Sequence, residues 1–450
     1  MQFAGQRTDM NFRPIGKPVN LLVKLSDDTL PSPSAIMTTG ITPQKTQEEG
    51  ITEAELCRIL QEEIFTPGTI SLGYNSIRFD DEFMRHLFWR NFYDPYEWQW
   101  RENRSRWDML DVVRMTRALR PESINWPVRE DGKPTNRLEL ITKENGISHE
   151  AAHDALSDVT ALIDVSKLIK DKQPQLFDYL FKMRKKPNLK KLVNLENPQP
   201  FVYSSGHYDV GTLHTTVVFP LAPSKNGNIL VYDLRYNLEE LERGGTTGGT
   251  PAGEPHASTE GETVVTGPRD NFFPIVKELA YNKCPAVAPI SVLDAADGWQ
   301  KIGLAKETVD KNLKTLLAHP EFAEKMRTHD EDRPEYEPPV DVESALYSSF
   351  VPELDKVRCN AVRKSDADGL ADFHPNFVDE RLPELLLHYK AKNFPTALSE
   401  AEASEWEKYR RARLEREVPK FLAEMEKFEK AGADAFLLEE LKLWYQNLSE

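Results

Sequence analysis

The sequence predicts an α/β domain, then a small β-rich domain, then a helical domain. Three observations carry this. Short apolar runs bounded by turn formers alternate with amphipathic stretches over residues 1–170. Strand formers concentrate between residues 200 and 300. From residue 300 onward helical patterns dominate. The chain has 450 residues and 39% hydrophobic content, enough for two or three domains that each bury a core.

In the first region "KPVNLLVKL" and "TISLGYN" read as strands. "DEFMRHLFWRNF" places Phe83, Leu87 and Phe88 at helical spacing. "ALSDVTALIDVSKLIKD" repeats the pattern through Leu156, Val159, Ile163 and Ile169. Helices alternating with strands predict a sheet covered by helices. "KMRKKPNLKK", residues 182–191, sets six cations within ten residues. It reads either as a solvated linker or as a local basic track. The β-rich region follows in "TLHTTVVFPL", "NILVYDL" and "NFFPIVKEL". It is interrupted by the glycine-rich stretch 244–267, which cannot build a core and is expected to be a mobile loop. That stretch lacks the Gly-Lys-Ser/Thr ending of a phosphate cradle. In the last region three helical stretches are separated by Pro419 and Gly432, read here as helix boundaries.

No run of eighteen apolar residues occurs, which argues against a membrane-spanning helix, and the N-terminus has no apolar signal-peptide core. Cys57, Cys284 and Cys359 lie far apart, as fits a reducing cytoplasm and no structural zinc site. The net charge of −16 argues against a general polyanion binder but leaves room for a local basic track. The aromatic cluster "FWRNFYDPYEWQW", residues 88–100, reads either as core or as a stacking surface for bases.

The chemistry concentrates in "HEAAHDALSDV", residues 149–159. On one continuous helix His153 and Asp158 would point roughly 140° apart, at about 100° per residue. Asp158 is therefore expected on the first turns of a helix and His153 on the loop before it. An imidazole that is not a metal ligand can act as a general base, and the bland alternative is a helix cap with two solvated polar residues. "GYNSIRFDDEF", residues 73–83, runs from strand to helix. Asp80 is expected at its N-cap, with Asp81 and Glu82 as ordinary first-turn acids. A carboxylate at such a transition can instead face a cleft and hold a metal-bound water.

"YNSIRFD" followed downstream by "HDALSD" resembles the second and third motifs of the DEDDh exonucleases. Within that superfamily the similarity is to the bacterial exonuclease I family. It runs collinearly through "MTTGITPQ" (37–44), "RFDDEFMRHLFWRNFYDPYEW" (78–98), "SRWDMLDVVR" (105–114), "ALRPESINWP" (118–127), "NKCP" (282–285) and "HYKAKNFP" (388–395). The resemblance implies a ribonuclease H-like exonuclease domain over 1–172, an SH3-like β domain over 173–330 and a helical C-terminal domain over 331–450. It implies hydrolysis of single-stranded DNA from the 3′ end to 5′-mononucleotides, in DNA repair and recombination, with two Mg²⁺ ions clamping the scissile phosphate. By motif match Asp158 is a metal ligand, Asp80 supports the second ion and His153 is the general base. Arg137 matches an arginine near the terminal phosphates, after Asn136, where the family usually carries an aromatic. Arg85, Tyr96, Trp100, Arg114 and Arg120 match the strand path, and Lys186, Lys277, Asn282 and Tyr347 match DNA-facing positions of the later domains. The implied partners are single-stranded DNA and the acidic C-terminal tail of single-strand DNA-binding protein, for a cytoplasmic, monomeric protein with no membrane association.

One departure shapes the expectation. The family's first strand carries a D-x-E motif, whereas this chain opens at "MQFAGQRTD", which resembles the family's second strand. Asp80/Glu82 and Asp341/Glu343 are rejected as substitutes, the first for diverging at a helix start and the second for lying far downstream as a helix cap. The chain is expected to lack the bridging acids, as a fragment or through a start placed at an internal Met, and so to cleave poorly. The alternatives are a non-catalytic single-strand-binding protein with a degenerate nuclease fold, or a related RNA exonuclease.

Overall fold

The computed structural model describes residues 1–148, 154–242, 275–334 and 339–449. His153 and the stretch 244–267 lie outside them.

The first region opens with an antiparallel ribbon of β1 (Gln2–Gly5) and β2 (Val19–Leu22). Three short helices follow, α1 (Pro33–Thr39), α2 (Pro43–Glu49) and α3 (Glu53–Ile59). Thr42 and Thr52 cap the last two by accepting from Lys45 N and Glu55 N, each at 3.2 Å. A second ribbon is parallel, β3 (Ile70–Gly73) beside β4 (Ser105–Asp108), with α4 (Asp80–Arg90) between them in sequence. Among the described residues the two ribbons are separate. Arg7 bridges them, donating to the Ile64 carbonyl at 2.8 Å and the Thr69 hydroxyl at 3.4 Å. α5 (Met109–Leu119), α6 (Leu138–Glu144) and α7 (Ala155–Lys172) complete this region.

Two expectations here need correction. Phe83 is an exposed residue paired with Phe79 at 4.9 Å, and the buried face of α4 is Leu87, Phe88 and Trp89. Asp80 is the first helical residue of α4, and Phe79 stands at the N-cap without a side-chain cap. The loop before α4 is shaped by a partner distant in sequence, so local capping preference did not set the boundary.

The basic stretch is largely helical. α8 (Pro174–Met183) runs into it and α9 (Lys186–Leu192) lies within it, with Leu189 buried. The β-rich region is one antiparallel sheet in the order β8-β7-β6-β5-β9. Its strands are β5 (Phe201–Ser204), β6 (Thr215–Pro223), β7 (Ile229–Asp233), β8 (Val276–Leu279) and β9 (Ala286–Pro289), with the short helix α10 (Leu238–Glu242) after β7. Both faces are covered, so its residues alternate between two cores. Val202, Val217, Leu230 and Tyr232 join α5, α7 and α8. Phe201, Val218, Ile229 and Val231 join Met183, Leu189 and Val193. The first core also takes Val309, Leu316, Phe322 and Met326 from the helices after the sheet, α11 (Gly298–Lys301), α12 (Lys306–Ala318) and α13 (Pro320–Glu331).

The last region holds α14 (Glu353–Lys364), α15 (Ala367–Ala371), α16 (Leu382–Asn393), α17 (Glu400–Lys430) and α18 (Ala435–Ser449). It docks on α4, whose Trp89 enters its core together with Phe92. Gly432 is a boundary, left-handed at φ 68° just past α17. Pro419 is not, because α17 runs through it. Pro419 and Glu415, the residue whose carbonyl loses its helical N–H partner, are both exposed. Packing secures both halves: Leu414 against Trp444 and Leu448, then Phe421 and Met425 against Ile36 and Leu441. No helix among the described residues is long and apolar enough to cross a membrane.

Candidate acidic site and nucleic-acid interface

Asp80 owes its place to Asp108. Asp108 ends β4, caps α5 by accepting from Leu110 N at 2.9 Å, and also accepts from Asn75 N at 2.9 Å and Ile77 N at 3.1 Å. One buried carboxylate thereby fixes the loop joining β3 to α4, in which Asn75 is left-handed at φ 60°. Burial pushes the Asp108 carboxyl up, with Asp111 adding to the shift, while the three amides pull it down. Asp80 keeps accessible surface, but protein crowds its carboxyl. That desolvation, reinforced by the charge of Asp108, pushes it up to about 6 despite a backbone hydrogen bond.

The same loop sets Arg137. The Tyr74 hydroxyl donates to the Asn136 carbonyl. Arg117 donates to the carbonyls of Thr135 at 2.5 Å and Pro127 at 2.8 Å and lies over the Trp126 ring. Asn136 is thus a buried packing residue, and Arg137 stands at the N-cap of α6 with its guanidinium half-exposed, 3.9 Å from Glu139.

Asp158 lies on the first turns of α7, half-buried, behind the N-cap Asp154, whose carboxylate accepts from Ser157 N at 3.1 Å. Among the described residues no group of three or more His, Cys, Asp or Glu side chains gathers as a metal site. Asp80 and Asp158 are two of the donors that the resemblance assigns to the ion pair.

The strand-path candidates divide in two. Arg85, Tyr96, Trp100 and Tyr347 come together where α4 meets the C-terminal region. Arg85 lies over the Tyr96 ring at 5.6 Å and donates to the Tyr347 hydroxyl at 3.3 Å and to Glu82. Tyr96, Trp100 and Tyr347 line a cavity of about 1040 Å³, with Phe350 and Arg363 on its walls. Trp100 is 63% exposed and Tyr347 57%, so their rings are open to a ligand, while Trp89 and Trp98 of the same aromatic cluster are core. Arg114 departs from expectation. It is 1% exposed and pairs with Asp111 at 2.8 Å, because every residue of α5 but Asp111 is buried. As placed it supports the floor beneath the loop and cannot line a strand. Arg120 ends α5, half-buried, donating to the Leu119 carbonyl at 2.6 Å.

Lys186 is exposed at the start of α9, and on the sheet Lys277 donates to the His207 carbonyl with its ammonium 4.3 Å from the Tyr208 ring. Asn282 is exposed in the β8–β9 turn, its carbonyl accepting from Arg106 of β4. Arg106 also pairs with Asp81. Asp81 is therefore a buried strut, and the first-turn reading missed it. Sequence reasoning also missed Asp108 and Arg106, although "SRWDM" shows the strand-end acid before a helix that drew attention to Asp80.

Comparison with known proteins yields three family models in order along the chain. They are Exonuclease over residues 1–166, Exonuclease I SH3-like domain over 184–246 and 264–329, and Exonuclease I C-terminal domain over 340–448. Exodeoxyribonuclease I of Escherichia coli K12 is 39% identical over 415 residues, covering 91% of this chain and 85% of the relative. A crystal structure of E. coli exonuclease I with a dA16 oligonucleotide superposes at a TM-score of 0.88, with 36% identity over 100% of this chain and 95% of that one. A zinc-bound E. coli ExoI–ssDNA complex gives 0.87 with 35% identity over 100% and 95%. A crystal structure of SSB/exonuclease I with an inhibitor gives 0.84 with 34% identity over 99% and 95%.

Proposed function

Because this chain belongs to the exonuclease I family, we propose that it takes single-stranded DNA by its 3′ end, for release of 5′-mononucleotides in repair and recombination. The observation that carries the reading is the convergence on α4. Its first residue is Asp80, its middle holds Arg85 against Tyr96 and Tyr347, and its end docks the C-terminal region. One helix thus links the acidic site to an aromatic-lined groove. Exposed Trp100 and Tyr347 stack on bases, which a duplex keeps covered, so the groove selects single strands. Arg137, held beside the Asp80 loop, meets the terminal phosphate. Asp80, Asp158 and His153 are the acids and base of the hydrolysis, in which water attacks phosphorus and the P–O3′ bond breaks. Mg²⁺ is the ion the family's chemistry calls for.

Asp158→Ala is expected to lose cleavage while keeping strand binding. The protein works in the cytoplasm as a monomer, and the acidic tail of single-strand DNA-binding protein is its protein partner, a reading supported by the SSB/exonuclease I structure among its neighbours.

The test uses purified residues 1–450 with end-labelled oligonucleotides. Expected is tighter binding to single-stranded DNA than to duplex or RNA. Equal binding of RNA or duplex overturns the substrate reading.

A further inference from the structure

Cations gather without acids on α9 and the turn before it. The chain carries 73 acids against 57 lysines and arginines, yet no acid occurs between Asp178 and Glu196. That interval holds Lys182, Arg184, Lys185, Lys186, Lys190 and Lys191, and its five lysines are exposed. Cations on other helices are matched along the helix, Arg58 by Glu55 and Glu62, Arg327 by Glu324 and Glu331, Lys430 by Glu426. Among the described residues none of the six makes an ion pair, and neither does Asp178 or Glu196. Lys186 and Lys190 stand about one turn apart on α9, a like-charge spacing that weakens an isolated helix.

Tertiary contacts hold this charge in place. Leu189 of α9 is buried in one core with Val193 and Tyr281. The Tyr281 hydroxyl, from the β8–β9 turn, donates to the Val193 carbonyl at 3.0 Å, and the Lys190 ammonium lies 5.3 Å from the Tyr281 ring. At the other end the Cys284 thiol lies 3.9 Å from the Arg184 carbonyl and 3.3 Å from the Arg106 carbonyl of β4. The cationic stretch is thus pinned at both ends to one turn, and that turn to β4. Arg106 pairs in turn with Asp81, the neighbour of Asp80 on α4. A direct run of contacts therefore ties the cations to the strand behind the acidic site.

We infer that this face is a second phosphate-binding surface, which takes the sugar–phosphate backbone of the part of the single strand lying outside the aromatic-lined groove. The inference rests on the single-strand DNA reading above. The resemblance carries only Lys186 of the six; the others widen the contact. The face offers point charges, and its one ring, Tyr281, is buried, so it grips phosphates without reading bases. Each phosphate it neutralises releases condensed counter-ions, so its signature is dependence on strand length and on salt.

The experiment measures binding of two fluorescent dT oligonucleotides to residues 1–450 across a salt series. One, of about 6 nucleotides, fills a single site, and the other, of about 30, reaches beyond it. Lys190→Ala with Lys191→Ala is expected to raise Kd for the long strand about 3–10-fold near 0.1 M salt. Its slope of log K against log salt should fall by about 1.4, two phosphate contacts at about 0.7 each. The short strand and thermal unfolding are unchanged, and Lys190→Arg with Lys191→Arg restores the long strand. Lys314→Ala with Lys420→Ala removes two exposed lysines from α12 and α17 and controls for net charge. If the α9 pair matches that control, or weakens both lengths equally, the second surface is wrong while the substrate reading stands. If it spares both oligonucleotides but weakens binding of a polyglutamate peptide, the face serves a protein and the strand assignment falls. If the unaltered protein binds neither oligonucleotide, both readings fall together.

Discussion

Asp108 shows how one side chain sets the geometry of a site it does not enter. Its carboxylate collects three backbone amides, two from the Asp80 loop and one from its own helix. Removing it leaves buried donors without partners, at about 1–3 kcal/mol each, and forfeits a helix cap of about 1 kcal/mol. Asp108→Ala is therefore expected to destabilise the fold by about 3 kcal/mol in urea unfolding and to weaken oligonucleotide binding through the loop. A loss under about 1 kcal/mol would show that the loop holds itself. At this scale the sequence was legible where a residue's role is local, as at Asp158 on the first turns of α7. It misled where the role depends on a distant partner. Arg114 resembles a strand-lining arginine and lies in the core, while Asp81 looks like an ordinary first-turn acid and is a buried strut to Arg106.

Among the elements, α17 is the plainest case of packing overriding propensity. Proline in a helix interior is unfavourable by about 3 kcal/mol against alanine, yet the helix spans Glu400–Lys430 through Pro419. Two apolar clusters, one on each side of the proline, hold the halves in line. Pro419 and Glu415 are both exposed, so Pro419→Ala restores an N–H donor to the Glu415 carbonyl without disturbing the core. The expected outcome is a gain of about 1–3 kcal/mol, seen as a higher Tm. A lower Tm would mean that the proline sets a bend the packing needs. The strands of the β-rich region were readable because both faces are apolar and β-branched residues dominate. Which residue entered which core followed only once the register was known.

Across the whole molecule, the N-terminal and C-terminal regions are joined by buried charge. Lys392 lies 2.9 Å from Asp28 and 2.5 Å from Glu343, and Arg413 lies 2.9 Å from Asp28 and 3.1 Å from Glu343. Burial alone would raise both acids. Lys392, with Arg413 beside Asp28 and His388 beside Glu343, outweighs it and holds Asp28 below, and Glu343 well below, the ordinary range. Their folded values are depressed, so their contribution is present above about pH 4 and is lost as pH falls through the folded values. Lys392→Met is expected to cost about 3–5 kcal/mol at pH 7, because it leaves buried carboxylates short of a cation. That cost should shrink towards pH 3.5, where protonated acids need no partner. Denaturant unfolding at the two pH values decides it, and an equal loss at both would remove the network as the cause.

The order of domain types, the family and the acids worth watching were legible along the chain. Apolar periodicity and collinear motifs are properties of neighbours along the chain. Which charges face water and which face each other emerged with the packing. It buried Arg114, opened Trp100 and Tyr347 to the groove and kept α17 whole. Burial and ion pairing are set by elements that meet across tens or hundreds of residues, and a one-dimensional pattern carries no record of those meetings.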